Sequence, residues 1–225
     1  MGASFNHDYY DERFNPLGPL PKAESKVSKE TTPGLYAQYT YKLGDKLTVM
    51  PGVRWDHSDR YGSFVTPRLH IKYSPSKIVT LRTSIGKGYR SPHALAENVT
   101  LLASGREIVI DPDLKQEEAW NMGASLGFNI PLFGKNLELN AEYYYTDFKH
   151  QMIMNFDGAK GEHTLSFENL DGKSYSHTFQ VDATYALFSG MSATAAFRLN
   201  DVKCTYDGVL RQKPLTSRYK GLLTL

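Results

Sequence analysis

Long segments in which apolar and polar residues alternate run through most of this chain. Leu35 and Ala37 would lie on one side of a strand, and Tyr36 and Gln38 on the other. Successive residues of a β-strand point to opposite faces, so this period of two predicts strands with one apolar and one polar face. Residues 33–225 contain about nine such segments of roughly ten residues each, against a usual strand length of about five or six. Strands of that length suit a tilted membrane crossing.

The connections between the predicted strands alternate in length. Short ones lie at residues 43–45, 74–77, 129–136 and 188–191, and mostly longer ones at 58–62, 89–117, 149–173 and 204–216. An up-and-down meander with short turns on one rim and long loops on the other has this pattern, as transmembrane β-barrels do. We therefore predict an all-β chain, an antiparallel up-and-down meander that is part of a large transmembrane β-barrel, and no helix. Within the 149–173 loop, residues 152–156 and 164–167 are predicted to pair as a hairpin.

The first 32 residues do not show this alternation. They are rich in Asp, Asn, Tyr and Pro, and the run Asn15-Pro16-Leu17-Gly18-Pro19-Leu20-Pro21 is a cluster of residues that interrupt regular structure. We interpret residues 1–32 as mostly an extracellular loop, in which Gly2 to Phe5 form the end of an earlier strand.

Composition and charge exclude several classes of protein. The chain has no run of about 18 apolar residues, so a membrane-spanning helix is not expected. A β-barrel stays possible, because its strands expose only half of their residues to lipid. The net charge of +2 is too small to indicate nucleic-acid binding. The N-terminus has no charged region followed by an apolar core, so it does not look like a signal peptide.

Two short motifs flank the loop at 89–117. The first is Gly86-Lys87-Gly88-Tyr89-Arg90-Ser91-Pro92, and the second is Asp111-Pro112-Asp113-Leu114-Lys115-Gln116-Glu117. Together they resemble the barrel of TonB-dependent outer-membrane receptors, which carry Gly-Arg/Lys-Gly-Phe/Tyr-Arg-x-Pro before a long outer loop and Asn-Pro-x-Leu-Lys-Pro-Glu after it. This chain departs from the family pattern at Asp111, where the family has Asn, and at Gln116, where it has Pro.

The resemblance implies a function in transport. Such receptors take up a scarce nutrient, typically an iron chelate, cobalamin or an oligosaccharide, across the outer membrane of a Gram-negative bacterium. The implied partners are outer-membrane lipid, the receptor's own plug domain, and TonB, which contacts a segment N-terminal to the plug. No part of this sequence matches the plug or that segment. About nine strands is an odd number, whereas a plugged transporter barrel has about 22, so we expect a partial barrel.

Two alternatives from other classes stay open. A passive porin would need an unplugged barrel with an even number of strands. A soluble β-rich binding module would bury the apolar face against a second sheet. An enzyme, a cofactor and a nucleic-acid partner are not expected.

The polar faces of the strands supply candidate interior residues. Eight charged side chains are predicted to line the barrel interior and face the plug: Arg54, Asp56, Arg68, Arg82, Glu138, Glu142, Asp182 and Arg198.

Aromatic and cationic residues near the outer loops are candidate ligand contacts, namely Tyr9, Tyr10, Arg90 and His93. We predict no catalytic residues, because Ser91 near His93 lacks the surrounding glycines of a nucleophile elbow. We predict no metal site, because the seven histidines are scattered and metal ligands need close spacing.

Overall fold

A computed structural model describes residues 1–14, 24–156, 163–206 and 208–225. These ranges contain fifteen strands, one short α-helix and a 3-10 helix at Val99–Ser104. The first strands are β1 (Gly2–Phe14), β2 (Glu24–Gln38), β3 (Tyr41–Leu43), β4 (Leu47–Ser58), β5 (Gly62–Tyr73) and β6 (Val79–Arg90). The helix α1 (Ala94–Glu97) follows, and then β7 (Glu107–Ile110), β8 (Glu117–Leu132), β9 (Lys135–Lys149), β10 (Met152–Phe156) and β11 (Thr164–Asn169). The last strands are β12 (Ser174–Phe188), β13 (Met191–Tyr206), β14 (Val209–Gln212) and β15 (Tyr219–Thr224).

Twelve of the strands form one antiparallel sheet. Its order is β1-β2-β4-β5-β6-β8-β9-β12-β13-β14, with β3 paired to β4 and β15 paired to β13. Strands that follow one another in the chain are mostly neighbours in this sheet, so the predicted antiparallel meander is confirmed. The nine strands predicted from alternation correspond to β2, β4, β5, β6, β8, β9, β12, β13 and β15.

The interpretation of residues 1–32 as mostly loop is wrong. β1 pairs with β2 from Gly2↔Tyr36 to Phe14↔Glu24, so residues 2–14 and 24–32 belong to a long hairpin. β4 pairs only with the C-terminal end of β2, from Gly34 to Gln38. The rest of the β1–β2 hairpin extends beyond β4. The side chains that this hairpin buries include the polar Glu30 and Thr32, so its sequence forms a ladder without apolar–polar alternation. The cluster at residues 15–21 lies outside the described residues.

The loops at 89–117 and 149–173 contain more structure than predicted. The expectation of no helix is wrong, because Ala94–Glu97 is helical and a 3-10 helix follows. The predicted hairpin is present as β10 and β11, with Met154 opposite Phe167. β7 adds to β11 in parallel, so the two loops share a sheet of order β10-β11-β7.

A small hydrophobic core lies in these loops. Leu165 and Phe167 are fully buried there, in contact with Ala94 and with the partly buried Ile108, Ile110 and Met152. The loops therefore pack as one unit, which we call the loop unit (residues 91–116, 150–156 and 163–173).

The large sheet leaves its apolar face uncovered. Leu35 is 58% exposed, Trp55 43%, Val181 41% and Phe197 45%. No described part of the chain packs over these side chains, so the second sheet that a soluble sandwich requires is not supplied by the described residues. No helix in the described ranges is both long enough and apolar enough to cross a membrane.

Aromatic residues bracket the apolar face of β8. Trp120 and Phe128 are eight residues apart on this strand, about 26 Å at the rise of an extended chain. The lipid-facing band of outer-membrane barrels is about 25 Å tall and lies between two rings of aromatic residues. Ala124 lies midway between them, on the exposed face.

The polar face contains glycines beneath large side chains. Gly123 on β8 pairs directly with Tyr144 on β9. A Cβ atom at position 123 would clash with the Cδ1 and Cε1 atoms of the Tyr144 ring. Glycine at this position therefore lets the tyrosine lie flat on the sheet.

We expect Gly123→Ala to destabilise the folded protein by about 1–3 kcal/mol, because the Tyr144 ring must leave its position. Chemical unfolding of the full-length protein would measure this. Gly88→Ala is the matched control, since nothing lies within 4 Å of a Cβ atom at position 88. In the Tyr144→Ala background the cost of Gly123→Ala should largely disappear, and an unchanged cost would contradict the packing argument.

We expect Ala124→Arg to destabilise the protein folded in a lipid bilayer by about 2–4 kcal/mol, because it places a cation in the middle of the apolar band. Asn129→Arg puts the same side chain on the polar face of the same strand, at an exposed position opposite Glu138, and should change stability by less than about 0.5 kcal/mol. Urea unfolding in lipid vesicles would compare the two. Equal costs would show that the apolar face does not meet lipid.

Candidate functional site

The charged residues predicted for the barrel interior share one face of the large sheet. The register sets Lys72 beside Arg82, Arg82 beside Ser125, Ser125 beside Glu142, Glu142 beside Gln180, and Gln180 beside Arg198. Arg68 pairs with Gly52 and Gly86, and Asp182 pairs with Asn140. Glu138 pairs with Thr184 on the same face. All eight predicted residues therefore lie on the polar face, opposite the exposed apolar side chains.

Arg54 and Asp56 form a compact ion pair on this face. Nε and Nη2 of Arg54 donate to the two carboxylate oxygens of Asp56, each over 2.6 Å, and Asp56 is fully buried. The Tyr89 hydroxyl donates to Asp56 over 3.0 Å, and Nη2 of Arg54 also donates to Ser4 Oγ over 2.6 Å. Gly34 lies under the pair, where a Cβ atom would clash with Asp56. A buried carboxylate is tolerated because two-point bonding to a guanidinium and a further donor compensate its charge.

The remaining charges on the polar face differ in how they are satisfied. Nη2 of Arg68 donates to Gln38 Oε1 over 2.6 Å, and Nε of Arg198 donates to Gln180 Oε1 over 2.7 Å. Asp182 accepts hydrogen bonds from the side chains of Asn140 and Gln180. Within the described ranges, Arg82, Glu138 and Glu142 form no hydrogen bond or ion pair.

A buried polar cluster, not predicted from the sequence, lies where the loop unit meets the large sheet. Glu30 is 5% exposed, and its Oε1 atom accepts from Ser58 Oγ over 2.7 Å and from Ser91 Oγ over 3.0 Å. Gln116 Nε2 donates to Ser91 Oγ over 3.2 Å. Ser91 and Gln116 stand at the two ends of the first loop, so Glu30 joins both ends to the β1–β2 hairpin.

The structure accommodates both departures from the family motif. Gln116 stands where the family has proline, and its side-chain amide provides the bond to Ser91 that proline could not make. Asp111 stands where the family has asparagine, and its Oδ1 accepts from the Asp113 backbone N–H over 3.0 Å. Either residue type can close that turn, because both carry a side-chain oxygen at this position.

Tyr61 lies in the turn between β4 and β5, beside the Glu30 cluster. Burial raises the pKa of its hydroxyl, the positive charge of Arg60 lowers it, and the negative charge of Glu30 raises it. The Tyr61 hydroxyl is buried and has no hydrogen-bond partner among the described residues. It therefore stays protonated at neutral pH.

Glu117 on β8 and Arg90 on β6 connect the large sheet to the two halves of the loop unit. One carboxylate oxygen of Glu117 accepts from Nε and Nη2 of Arg90, each over 2.5 Å. The other accepts from the backbone N–H of Met152 over 2.7 Å. Arg90 also reaches Glu97 over 3.2 Å. The side chain of Asn169 adds bonds to the Lys115 backbone and to His150 O.

The four candidate ligand contacts do not form one cluster. Tyr10 and His93 pack together with ring centroids 4.2 Å apart, which brings the hairpin against the start of the loop unit. Tyr9 lies on the opposite face of β1, where it is 56% exposed and Lys29 Nζ lies 5.4 Å from its ring. Arg90 is held by Glu97 and Glu117.

The described residues were searched for clusters of metal ligands. No group of three or more His, Cys, Asp or Glu residues there could hold a metal ion. The described residues form a polar wall, a hairpin and a loop unit at one rim, and these provide surfaces for binding.

Comparison with curated proteins finds partial matches. The chain is 25% identical over 114 residues to an iron-regulated outer membrane virulence protein of Vibrio cholerae, a match that covers 50% of this chain and 17% of that protein. It is 29% identical over 89 residues to a ferric enterobactin receptor of Pseudomonas aeruginosa, covering 40% of this chain and 12% of that protein. The chain thus spans less than a fifth of the length of these relatives.

Solved structures with the same fold cover more of the chain. The siderophore receptor PirA of Pseudomonas aeruginosa matches with a TM-score of 0.68 and 17% identity, over 89% of this chain and 39% of that one. A complex of the ferric enterobactin receptor PfeA matches with a TM-score of 0.67 and 19% identity, over 88% of this chain and 32% of that one. At this identity the likeness establishes the fold.

The family comparison covers almost the whole chain. The model described as "TonB dependent receptor-like, beta-barrel" matches residues 1–221. The meander, its uncovered apolar face and its polar face agree with that assignment. The chain therefore belongs to the TonB dependent receptor-like β-barrel family and is a segment of a barrel in the outer membrane of a Gram-negative bacterium.

Proposed function

We propose that this chain is part of a TonB-dependent active transporter that takes up an iron chelate of the siderophore type. The observation that carries the proposal is the family match over residues 1–221. The family consists of transport receptors rather than enzymes. The loop unit, fixed above the polar face by Glu30 and Glu117, provides a preorganised surface for binding.

The names of the relatives favour iron chelates over cobalamin and oligosaccharides. One relative is called a ferric enterobactin receptor, and another is called iron-regulated. The structural neighbours include a siderophore receptor and a ferric enterobactin receptor. Ferric siderophores are therefore the first ligands to test.

The polar face is proposed to line the barrel interior and to contact the receptor's plug. In this arrangement the opposite face meets lipid, and TonB acts on the N-terminal part of the full-length receptor. The eight charged residues would supply hydrogen bonds and charges to the plug. Those with a partner in the wall, such as Arg54 and Arg198, would keep the wall rigid.

Tyr10 and His93 are the candidate ligand contacts that the geometry favours. They form one aromatic surface where the hairpin meets the loop unit, on the polar side of β1. Aromatic rings offer large rigid contact areas to a planar aromatic ligand group. Tyr9 faces away from this surface, and we assign Arg90 the role of fixing the loop unit.

Expression of the full-length gene in a Gram-negative strain without siderophore receptors is expected to restore uptake of radioactive iron supplied as ferric enterobactin. Deletion of tonB should abolish the uptake, because the plug moves only when TonB transmits energy from the inner membrane. Uptake that persists without TonB would indicate a passive porin instead. Uptake of cobalamin but no iron chelate would overturn the ligand class.

Tyr10→Ala and His93→Ala are each expected to weaken binding of ferric enterobactin about 5- to 30-fold, the effect of losing about 1–2 kcal/mol of aromatic contact. Binding to whole cells with iron-loaded ligand would measure it. Tyr9→Ala is the matched control, since that ring is on the opposite face of the same strand, and it should bind like the wild type. A loss at Tyr9 equal to that at Tyr10 would contradict the assignment.

A further inference from the structure

The four short connections of the large sheet lie together at one rim. They join β2 through β3 to β4, β5 to β6, β8 to β9, and β12 to β13. Every second connection of an antiparallel meander lies at the same end of the sheet, so these turns are at the rim opposite the loop unit. We call residues 39–46, 74–78, 131–136 and 187–191 the short-turn rim. Short turns are the periplasmic connections of outer-membrane barrels.

The short-turn rim exposes apolar side chains. Phe133 is 89% exposed, and Phe188 and Leu43 are each 59% exposed. Five further apolar or aromatic side chains are exposed there, namely Tyr39, Tyr41, Ile78, Leu132 and Leu187. Leu132 lies on the same face of β8 as Ala124 and continues the apolar face to the rim. The apolar surface of the sheet therefore extends into the turns.

The turn between β8 and β9 places Phe133 in a conformation that phenylalanine rarely adopts. Phe133 has φ +50° and Gly134 has φ +75°, so both central residues of the turn are left-handed. Two-residue hairpin turns of this kind favour Asn-Gly, and a bulky residue at the first of the two positions is strained. Strain that persists at an exposed position indicates a function for the Phe133 ring, because hairpin formation alone favours asparagine there.

Two hydrogen bonds join this turn to the neighbouring one. The Tyr185 hydroxyl donates to Leu132 O over 3.2 Å, and Lys135 Nζ donates to Leu187 O. These bonds connect the β8–β9 turn to the β12–β13 turn, so the exposed phenylalanines of both turns are presented by one braced surface. A surface that is fixed in this way loses little conformational entropy when it binds.

The charge of the short-turn rim is mostly positive. It contains four lysines and one carboxylate, which are Lys42, Lys46, Lys77, Lys135 and Asp45. The ammonium groups of Lys46 and Lys77 are exposed and have no hydrogen-bond or ion-pair partner among the described residues. The loop unit at the other rim has the opposite balance, with three Lys or Arg and six Asp or Glu residues. A cationic surface with exposed apolar groups is complementary to a layer of anionic lipid headgroups.

A leaflet that contains anionic phospholipid fits these features better than a protein partner does. The exposed apolar side chains are distributed over four separate turns rather than gathered in one groove, and lysines lie among them. A lysine can lay its methylene groups beside acyl chains while its ammonium group reaches a phosphate. Aromatic side chains prefer the same interfacial layer.

We propose that the short-turn rim binds anionic phospholipid, with Phe133 inserted among the headgroups and Lys46, Lys77 and Lys135 on the lipid phosphates. The ligand class is a phospholipid with a net negative headgroup, such as phosphatidylglycerol, in the periplasmic leaflet. The inference goes beyond the proposed function, since it concerns neither the transported ligand nor TonB and uses only the placement of the barrel in a membrane.

Fluorescence quenching in lipid vesicles tests the site in the full-length receptor. Phe133→Cys is labelled with a fluorophore in a receptor whose other cysteines, Cys204 included, are replaced by serine. The vesicles contain equal amounts of phosphatidylglycerol and phosphatidylcholine, and one lipid or the other carries a nitroxide quencher near its headgroup. Quenching is expected to be about 3- to 5-fold stronger from phosphatidylglycerol, the preference that about one lysine contact provides. A label at Val99→Cys, in the loop unit, should not be quenched.

Lysine variants test the role of charge. Lys46→Gln, Lys77→Gln and Lys135→Gln combined in one receptor should make the two lipids quench the label at position 133 equally. High salt should reduce the preference of the unaltered rim in the same direction, because it screens the lysines.

The matched control removes three lysines from the side of the long loops. Lys115→Gln, Lys173→Gln and Lys213→Gln combined change the net charge of the receptor by the same amount, and all three positions are exposed. This variant should keep the preference for phosphatidylglycerol.

Either of two results would overturn the proposal. One is a folded receptor in which neither lipid quenches the label at position 133, which would mean that the turn lies in water or against a protein. The other is equal quenching by both lipids before any lysine is changed, which would mean that headgroup charge does not select the lipid. Iron uptake is measured separately, so its failure would refute the proposed function and leave the quenching interpretable.

Discussion

Antiparallel hydrogen bonding between long strands is the constraint on which the rest of this structure depends. Lipid offers no hydrogen bonds to a backbone, so each strand in a membrane must satisfy its N–H and C=O groups on its neighbours. Fixed pairing sends alternate side chains to opposite faces, and a slip of one residue would exchange the faces. Trp55 and Val181 thus lie on one side of the sheet, and Asp56 and Asp182 on the other. One ladder defines both a surface for lipid and a polar wall.

The loop unit at the rim lies outside this ladder, and other interactions hold it in place. The loop unit has its own sheet and its own core around Leu165 and Phe167. Two carboxylates of the large sheet fix it: Glu30 through Ser91, and Glu117 through the Met152 backbone. Arg90 of the large sheet adds an ion pair to Glu97. A rigid anchorage of this kind matters for binding, because a preordered surface loses less conformational entropy when a ligand arrives.

The sequence predicted the strands whose residues alternate in polarity, and few other features of the structure. The nine strands found because their faces differ in polarity are β2, β4, β5, β6, β8, β9, β12, β13 and β15. The shared face of the eight charged residues follows from the same period. The β1–β2 hairpin was missed because the side chains that it buries, such as Glu30 and Thr32, are polar, so its sequence carries no apolar–polar alternation that marks a strand. Once β1 is recognised, adjacent Tyr9 and Tyr10 must point to opposite faces. The Glu30 cluster joins residues far apart in sequence, and nothing local indicated it.

The charged residues of the polar face fall into two groups, those with hydrogen-bond or ion-pair partners and those without. Near the loop rim, both carboxylate oxygens of the buried Asp56 accept hydrogen bonds, and Oε1 of the buried Glu30 accepts from Ser58 and Ser91, so these carboxylates are structural. Further along the face, Arg82 and Glu142 have no hydrogen-bond or ion-pair partner among the described residues, and Ser125 stands between them. A wall selected only for its own stability would place such charges in contact, since an isolated half-buried carboxylate is costly. In this wall the register of β6, β8 and β9 keeps Arg82 and Glu142 apart, so the stability of the wall alone does not explain their placement.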